Sequence, residues 1–385
     1  MRLIYFIPLL STKGGQERTL TDKANFLARQ GHEVLFVTYE HDGPLAYQLP
    51  PAVRHTDIDC HYFSLYHQPL WRRPWALLQL KRTFRERMGR VMDKFRPDVI
   101  VVAIPNTENF LSDLVRLAGK TPVIVESHLA YGHTVIRRGI TEKALYWLQN
   151  PLRAIKKSSL LIALTQGDAE CWRRVGVPRV TVIPNPVTRY PEEVSHPVRP
   201  QHRIVCVGRL APQKRFDRLI DAFAVLAAKY PSWHVDIYGE GEDEKPLRQQ
   251  IARHGLTERI RILSPTDQIY AVYGQSDFLV LSSDFEGFGL VIIEAMACGI
   301  PVVATNCPYG PADIIQDGET GLLAKMEVQD LADKMEWMMA HDAERLQMGR
   351  QARQSAARYR QEVVIPQWEQ AYIKNQYEKE FVPQK

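Results

Sequence analysis

The chain is 385 residues long, 45% hydrophobic and 24% charged, with a formal net charge of +5. That length suits two domains, each able to bury its own core. The composition excludes collagen-like, disulfide-scaffold and disordered chains, and no apolar run approaches the roughly 18 residues of a membrane span.

The apolar start, residues 3–10, runs into Lys13-Gly14-Gly15 without a small-residue cleavage site, so it reads as a first buried strand and not a signal peptide. Further buried parallel strands are expected over 33–39, 98–105, 122–126 and 160–165, each an apolar run bounded by polar or turn residues. Helical periodicity fills the gaps at 17–30, 82–95 and 107–117, the first stopping at Gly31. Residues 187–201, with three prolines and no periodicity, read as a linker. The rhythm then restarts, with strands expected over 203–207, 233–238, 261–263, 278–281 and 301–304. Helices are expected over 218–229, 245–254, 290–298 and 328–340. The fold class expected is therefore α/β: two doubly wound Rossmann-like domains facing across a crevice, with ligands at the carboxyl ends of strands. The boundaries drawn are 1–186, a linker 187–201, a second domain 202–355, and a C-terminal helix over 356–385 crossing back to the first domain.

Charge is uneven. Residues 1–200 hold 28 Lys+Arg against 18 Asp+Glu, and the remainder 21 against 26. A basic front half suits an anionic surface or acceptor, or is ordinary surface charge. Its most basic stretch, 71–96, contains a helical face of Leu77, Leu80, Phe84 and Met88, with Arg82, Arg85 and Arg87 elsewhere. That face either lies on anionic lipid as a peripheral anchor or packs into the core. No base-reading motif accompanies the charge, so nucleic acid is not an expected partner. Five scattered cysteines without a C-x-x-C pair point to a reducing, cytoplasmic setting with no structural zinc.

The segment with the densest chemistry is 282–299. A strand ends at Leu281, Glu286, Gly287, Phe288 and Gly289 form a turn, and a helix opens near Leu290 carrying Glu294 one turn on. A helix start offers unpaired N–H groups and positive dipole potential, a seat for a diphosphate. A carboxylate such as Glu294 only accepts hydrogen bonds and suits a vicinal diol. Taken alone, two glycines and two glutamates also fit a plain turn and a solvated helix.

This segment resembles the Glu-x7-Glu motif of retaining glycosyltransferases of family four, which have the GT-B fold and use nucleotide sugars. The flanking Glu-Ala-Met-Ala-Cys-Gly-x-Pro-Val-Val-Ala resembles that family too. So do Gly208-Arg209-Leu210 with Lys214, Tyr238-Gly239-Glu240-Gly241, Gly318–Leu322, Val182-Ile183-Pro184-Asn185 and the loop Gly14-Gly15 with Glu17-Arg18. The resemblance covers about residues 1–345 in order. It implies transfer of a sugar with retention from a nucleotide diphosphate sugar, a UDP-sugar on family frequency, to a sugar or lipid-linked saccharide acceptor in surface polysaccharide or glycan assembly. Hexosyl and N-acetylhexosaminyl groups are both compatible.

Roles implied by the resemblance are these. Arg209 and Lys214 hold the diphosphate, Glu286 contacts the transferred sugar, and Glu294 holds the ribose. Phe288, Gly289 and Leu290 offer backbone N–H groups, while Gly208 and Gly15 let their loops approach the donor. His128, after the strand 122–126, matches a histidine facing the donor sugar, with Glu126 and His133 nearby as rival assignments. Asp313 stands where a variant of the family carries Glu, or caps the helix that follows. Asp57-Ile58-Asp59 is the sole Asp-x-Asp, and no metal or other cofactor is expected, because two cations and a helix start already neutralise a diphosphate. Two other readings stay open: a nucleotide-sugar epimerase of the same fold, and a non-catalytic nucleotide-sugar-binding scaffold.

Overall fold

A computed structural model describes residues 1–105, 107–131, 151–194 and 201–378. The chain divides into two compact units. The first is Met1–Pro186 joined by the C-terminal helix Gln361–Glu378, and the second is Val187–Arg360.

The first unit is built on a seven-stranded sheet ordered β3-β2-β1-β4-β5-β6-β7. In chain order these are β1 Arg2–Phe6, β2 Glu33–Thr38, β3 Val53–Asp57, β4 Val99–Ile104, β5 Val123–Ser127, β6 Leu160–Ala163 and β7 Val180–Val182. Every described pairing is parallel. Central strands must bury both faces, and all six residues of β4, Val-Ile-Val-Val-Ala-Ile, are buried. The edge strand β3, Val-Arg-His-Thr-Asp, escapes that requirement and has the polar composition that hid it from a search for apolar runs.

The second unit repeats the arrangement with six strands ordered β10-β9-β8-β11-β12-β13. These are β8 Arg203–Val207, β9 His234–Tyr238, β10 Ile260–Leu263, β11 Phe278–Leu281, β12 Val302–Thr305 and β13 Gly321–Ala324, again parallel. Both units thus have the doubly wound order that reverses at the first strand, the point where such sheets bind ligands at strand carboxyl ends. In the second unit that point lies between β8 and β11, which carry the Gly208 and Glu286 loops.

Three boundaries differ from expectation. Residues 187–191 are not a loose linker. The Val187 amide donates to the Tyr359 carbonyl at 2.7 Å, the Arg189 amide to the Tyr270 hydroxyl at 3.0 Å, and the Tyr190 hydroxyl to the Arg353 carbonyl at 2.9 Å. These bonds satisfy backbone groups that an open linker would leave to water, so the second unit begins at Val187 and runs to Arg360. The basic helix starts at Arg73, nine residues before position 82, because Pro74 is tolerated in a first turn. The short strands β3, β7 and β13 add to the expected set.

Candidate functional site

In the second unit, two loops at the carboxyl ends of β8 and β11 are laced together. Gln213 donates from Nε2 to the Phe285 carbonyl at 2.8 Å and accepts the Asp284 amide at 2.9 Å. The Ser282 hydroxyl donates to the Lys214 carbonyl at 2.8 Å. Arg218 donates to the Ser282 carbonyl at 2.8 Å and to Asp284 Oδ1 at 2.7 Å. On this frame the Lys214 ammonium meets Glu286 Oε1 at 2.7 Å, and the Ser283 hydroxyl donates to the same oxygen at 2.6 Å. The Lys214 side chain retains 20% exposure and that of Glu286 8%. Aliphatic carbons of Lys214 lie 3.4 Å from where a Cβ on Gly208 would stand, so the lysine stem covers that glycine.

Arg209, next to Gly208, is exposed, and no hydrogen bond or ion pair holds its side chain among the described residues. A fixed Lys–Glu pair beside an uncommitted guanidinium is electrostatically unfinished: an anion placed there gains a charge-assisted partner without breaking one.

The Glu286 backbone is buttressed from a third loop. Its amide donates to the Pro308 carbonyl and its carbonyl accepts the Tyr309 amide, both at 3.0 Å. Gly310 permits the approach, since a Cβ there would sit 2.1 Å from the Phe288 carbonyl oxygen. Phe288 is buried against the Tyr359 ring, centroids 5.8 Å apart. Gly289 is the N-cap of the helix Leu290–Ala297 at φ +95°, a conformation that side chains disfavour. The turn therefore ends abruptly, and the helix presents its first amides at the end of β11. Glu294 is buried one turn on, and the Tyr273 hydroxyl donates to its Oε2 at 3.3 Å. Asp313 is no cap: it lies inside the four-residue helix Pro311–Ile314, whose N-cap is Gly310.

The first unit holds Gly15 and His128. Gly15 is exposed and opens the helix Gly15–Arg29, its carbonyl accepting the Thr19 hydroxyl at 2.9 Å. The His128 side chain is only 2% exposed and points inward, Nε2 lying 2.9 Å from Glu126 Oε2. That carboxylate can only accept, so Nε2 carries the proton. The same oxygen meets the Lys23 ammonium at 2.6 Å, with both side chains fully buried, and Glu126 Oε1 accepts the Tyr372 hydroxyl at 2.5 Å. Tyr372 also meets the Tyr5 hydroxyl at 3.1 Å, and the Lys23 ammonium lies 3.5 Å over the Trp368 ring.

Burial pushes the Glu126 carboxyl up, but Lys23 and His128 outweigh it and hold the pKa at about 2. Burial lowers His128, so the ring is neutral at neutral pH. Within its unit His128 is thus part of a saturated buried network and not a displayed side chain. His133 lies outside the described residues. Lys23 escaped the sequence reading, yet left a signal: it shares a helical face with Leu20, Ala24 and Leu27, where a lysine needs a buried partner.

Elsewhere in this unit, the carboxylates of the Asp-x-Asp turn to separate partners. Asp57 accepts the Thr38 hydroxyl and the His41 amide, while Asp59 pairs with Arg87 and His61. No group of three or more His, Cys, Asp and Glu placed to hold a metal occurs among the described residues. No described helix is long and apolar enough to cross a membrane. The face Leu77, Leu80, Phe84 and Met88 does not lie on lipid. Phe84 and Met88 are wholly buried and the two leucines pack on the same core, because those positions face the aromatic cluster around Phe6 and Phe110.

Comparison with known proteins shows what this chain is similar to. A family model described as Glycosyltransferase Family 4 matches residues 13–189, and one described as Glycosyl transferases group 1 matches residues 193–355. An uncharacterized glycosyltransferase of Haemophilus influenzae is 25% identical over 94% of this chain and 98% of its own length. An amylovoran biosynthesis glycosyltransferase of Erwinia amylovora is 32% identical over 44% of this chain and 48% of its own. Among solved structures, Anabaena HepE in complex with UDP and glucose superposes with a TM-score of 0.72 at 22% identity, over 97% of this chain and 99% of that one.

Proposed function

Because the chain belongs to the family-four glycosyltransferases with the GT-B fold, we propose that it transfers a sugar, with retention, from a UDP-sugar to a saccharide or lipid-linked saccharide in polysaccharide assembly. The setting proposed is the cytosol. The observation that carries this reading is the Lys214–Glu286 pair, with Arg209 uncommitted beside it and the start of the helix Leu290–Ala297 at the neighbouring strand end. Arg209 and Lys214 receive the diphosphate, whose charge grows as the glycosidic bond breaks, and preorganised cations stabilise that charge most where water is excluded. Backbone N–H groups of Phe288, Gly289 and Leu290 add to the cradle, and Gly208 keeps the approach open. Glu286 accepts hydroxyls of the transferred sugar, Glu294 the ribose diol. Gly15 and His128 belong to the first unit, and the His128 side chain is committed there to Glu126. No metal enters this account, since the cations and helix start supply the neutralisation. Retention and the uridine base rest on the resemblance. The HepE structure with UDP and glucose is consistent with the base.

The test is a screen of UDP-, GDP- and ADP-sugars with saccharide acceptors, following nucleoside diphosphate release by chromatography and the new anomeric centre by NMR. One donor should give acceptor-dependent release and a product of unchanged configuration. Nucleotide release with epimerised free sugar and no acceptor product would establish the epimerase instead. Tight nucleotide-sugar binding without turnover would establish the scaffold.

A further inference from the structure

Nine large apolar side chains are exposed among the described residues, and four of them fall between positions 70 and 78: Leu70 at 62%, Trp71 at 71%, Trp75 at 72% and Leu78 at 57%. Trp71 lies two residues before the start of the helix Arg73–Phe95, and Trp75, Leu78 and Arg82 follow at spacings of three and four. Those spacings place Trp75, Leu78 and Arg82 on one face of the helix. This stripe lies away from the one that packs into the core through Leu77, Leu80, Phe84 and Met88. The helix carries seven Lys and Arg against two acidic residues. Several of its cations are already engaged: Arg73 donates to the Gln68 and Tyr66 carbonyls, and Arg87 to Asp59. Others stay outward. Arg90 is exposed without a partner among the described residues, Arg72 is exposed with only the Trp71 ring beneath it at 4.6 Å, and Arg82 is exposed with only Glu86 one turn on.

We propose that this stripe is a docking surface for an anionic lipid bilayer, with Leu70, Trp71, Trp75 and Leu78 inserted at headgroup depth and Arg72, Arg82 and Arg90 against the phosphates. Exposed tryptophans lose apolar surface to the acyl boundary while the indole N–H stays near polar headgroups. Charge complementarity selects the occupant: a second copy of this chain would set the same cationic helix against itself, whereas an anionic leaflet attracts each arginine by about 1 kcal/mol. The contact is peripheral, a short apolar tip backed by charge, and is independent of which sugar is transferred.

Flotation of the full chain with phosphatidylcholine vesicles, with and without phosphatidylglycerol, tests it. The chain should float only with the anionic vesicles at low salt, and its tryptophan emission should shift to the blue. At 1 M salt, where the screening length is about 3 Å, binding should largely disappear. Trp71→Ser with Trp75→Ser and Leu78→Ser should lower partitioning at least roughly tenfold. Charge reversal at Arg72, Arg82 and Arg90 should lower it about fivefold per position. Both variants should melt like wild type, since every altered side chain is exposed. The proposal fails if the wild-type chain stays unbound at low salt, or if the triple serine variant floats as well as wild type. It also fails if sedimentation reveals a dimer that the serine variant abolishes, which would make the stripe a self-association surface.

Discussion

Each unit carries a lysine–glutamate pair near the carboxyl ends of its sheet, at nearly equal distance: Lys23–Glu126 at 2.6 Å and Lys214–Glu286 at 2.7 Å. Their surroundings differ entirely. The first pair is fully buried and closed by His128 and Tyr372; the second keeps part of its lysine in solvent beside a free arginine. A buried, saturated pair is committed to the fold, since losing either partner strands a charge in a low dielectric. A part-open pair can exchange partners with a ligand at little cost. Burial and leftover valence, not residue type, separate a structural pair from a working one.

The largest expected effect falls on the closed pair. Lys23→Met or Glu126→Gln should each destabilise the first unit by about 3–5 kcal/mol in denaturant melts, and the double variant should cost clearly less than the two singles combined. Additive losses would mean that the two groups do not act as a pair.

The same pair gives a pH dependence. Glu126 is depressed from 4.5 to about 2, so its stabilisation is complete above 4.5 and is lost as pH falls toward 2, about 3 kcal/mol in all. His128, also depressed, adds a loss that begins as pH falls through 6.5. Asp168, raised to about 6 by burial, works in the opposite sense, gaining stability as pH falls from 6 toward 3.8. Acid titration of wild type against Glu126→Gln isolates the first contribution, and the variant should lose the wild-type slope below 4.5.

Smaller effects belong to the open site. Glu294 is assigned to the ribose, remote from the breaking bond, so it binds ground and transition states alike. Glu294→Ala should lower kcat/KM about 10- to 150-fold, mainly through a raised donor KM, as loss of a charged hydrogen bond would. The smallest effect is none: EDTA should leave transfer unchanged, and restoration of a lost activity by Mg²⁺ or Mn²⁺ would contradict the neutralisation by Arg209, Lys214 and the helix start.

Local order made much of this legible. Buried parallel strands announce themselves as apolar runs, and Glu286, Gly289 and Glu294 lie close enough in sequence to read as strand, turn and helix. What escaped was long-range or at an edge. Lys23 and Glu126 are 103 residues apart, and Tyr372 lies 246 beyond Glu126. No periodicity links them. Strand β3 hid because an edge strand need not be apolar. The basic helix has apolar residues on more than one face, and sequence alone left Leu77, Leu80, Phe84 and Met88 open between lipid and core. Tertiary packing claimed that face and left Trp71, Trp75 and Leu78 outside.

Arg209 offers the most direct test of the open site. Its side chain is exposed and unpartnered among the described residues, so the fold has no use for it, and Arg209→Ala should melt within about 0.5 kcal/mol of wild type. If it stabilises the departing diphosphate, kcat with the preferred donor should fall by about 10²–10³-fold, as with loss of one oxyanion donor. An Arg209→Ala enzyme with unchanged melting and unchanged kcat would contradict the account.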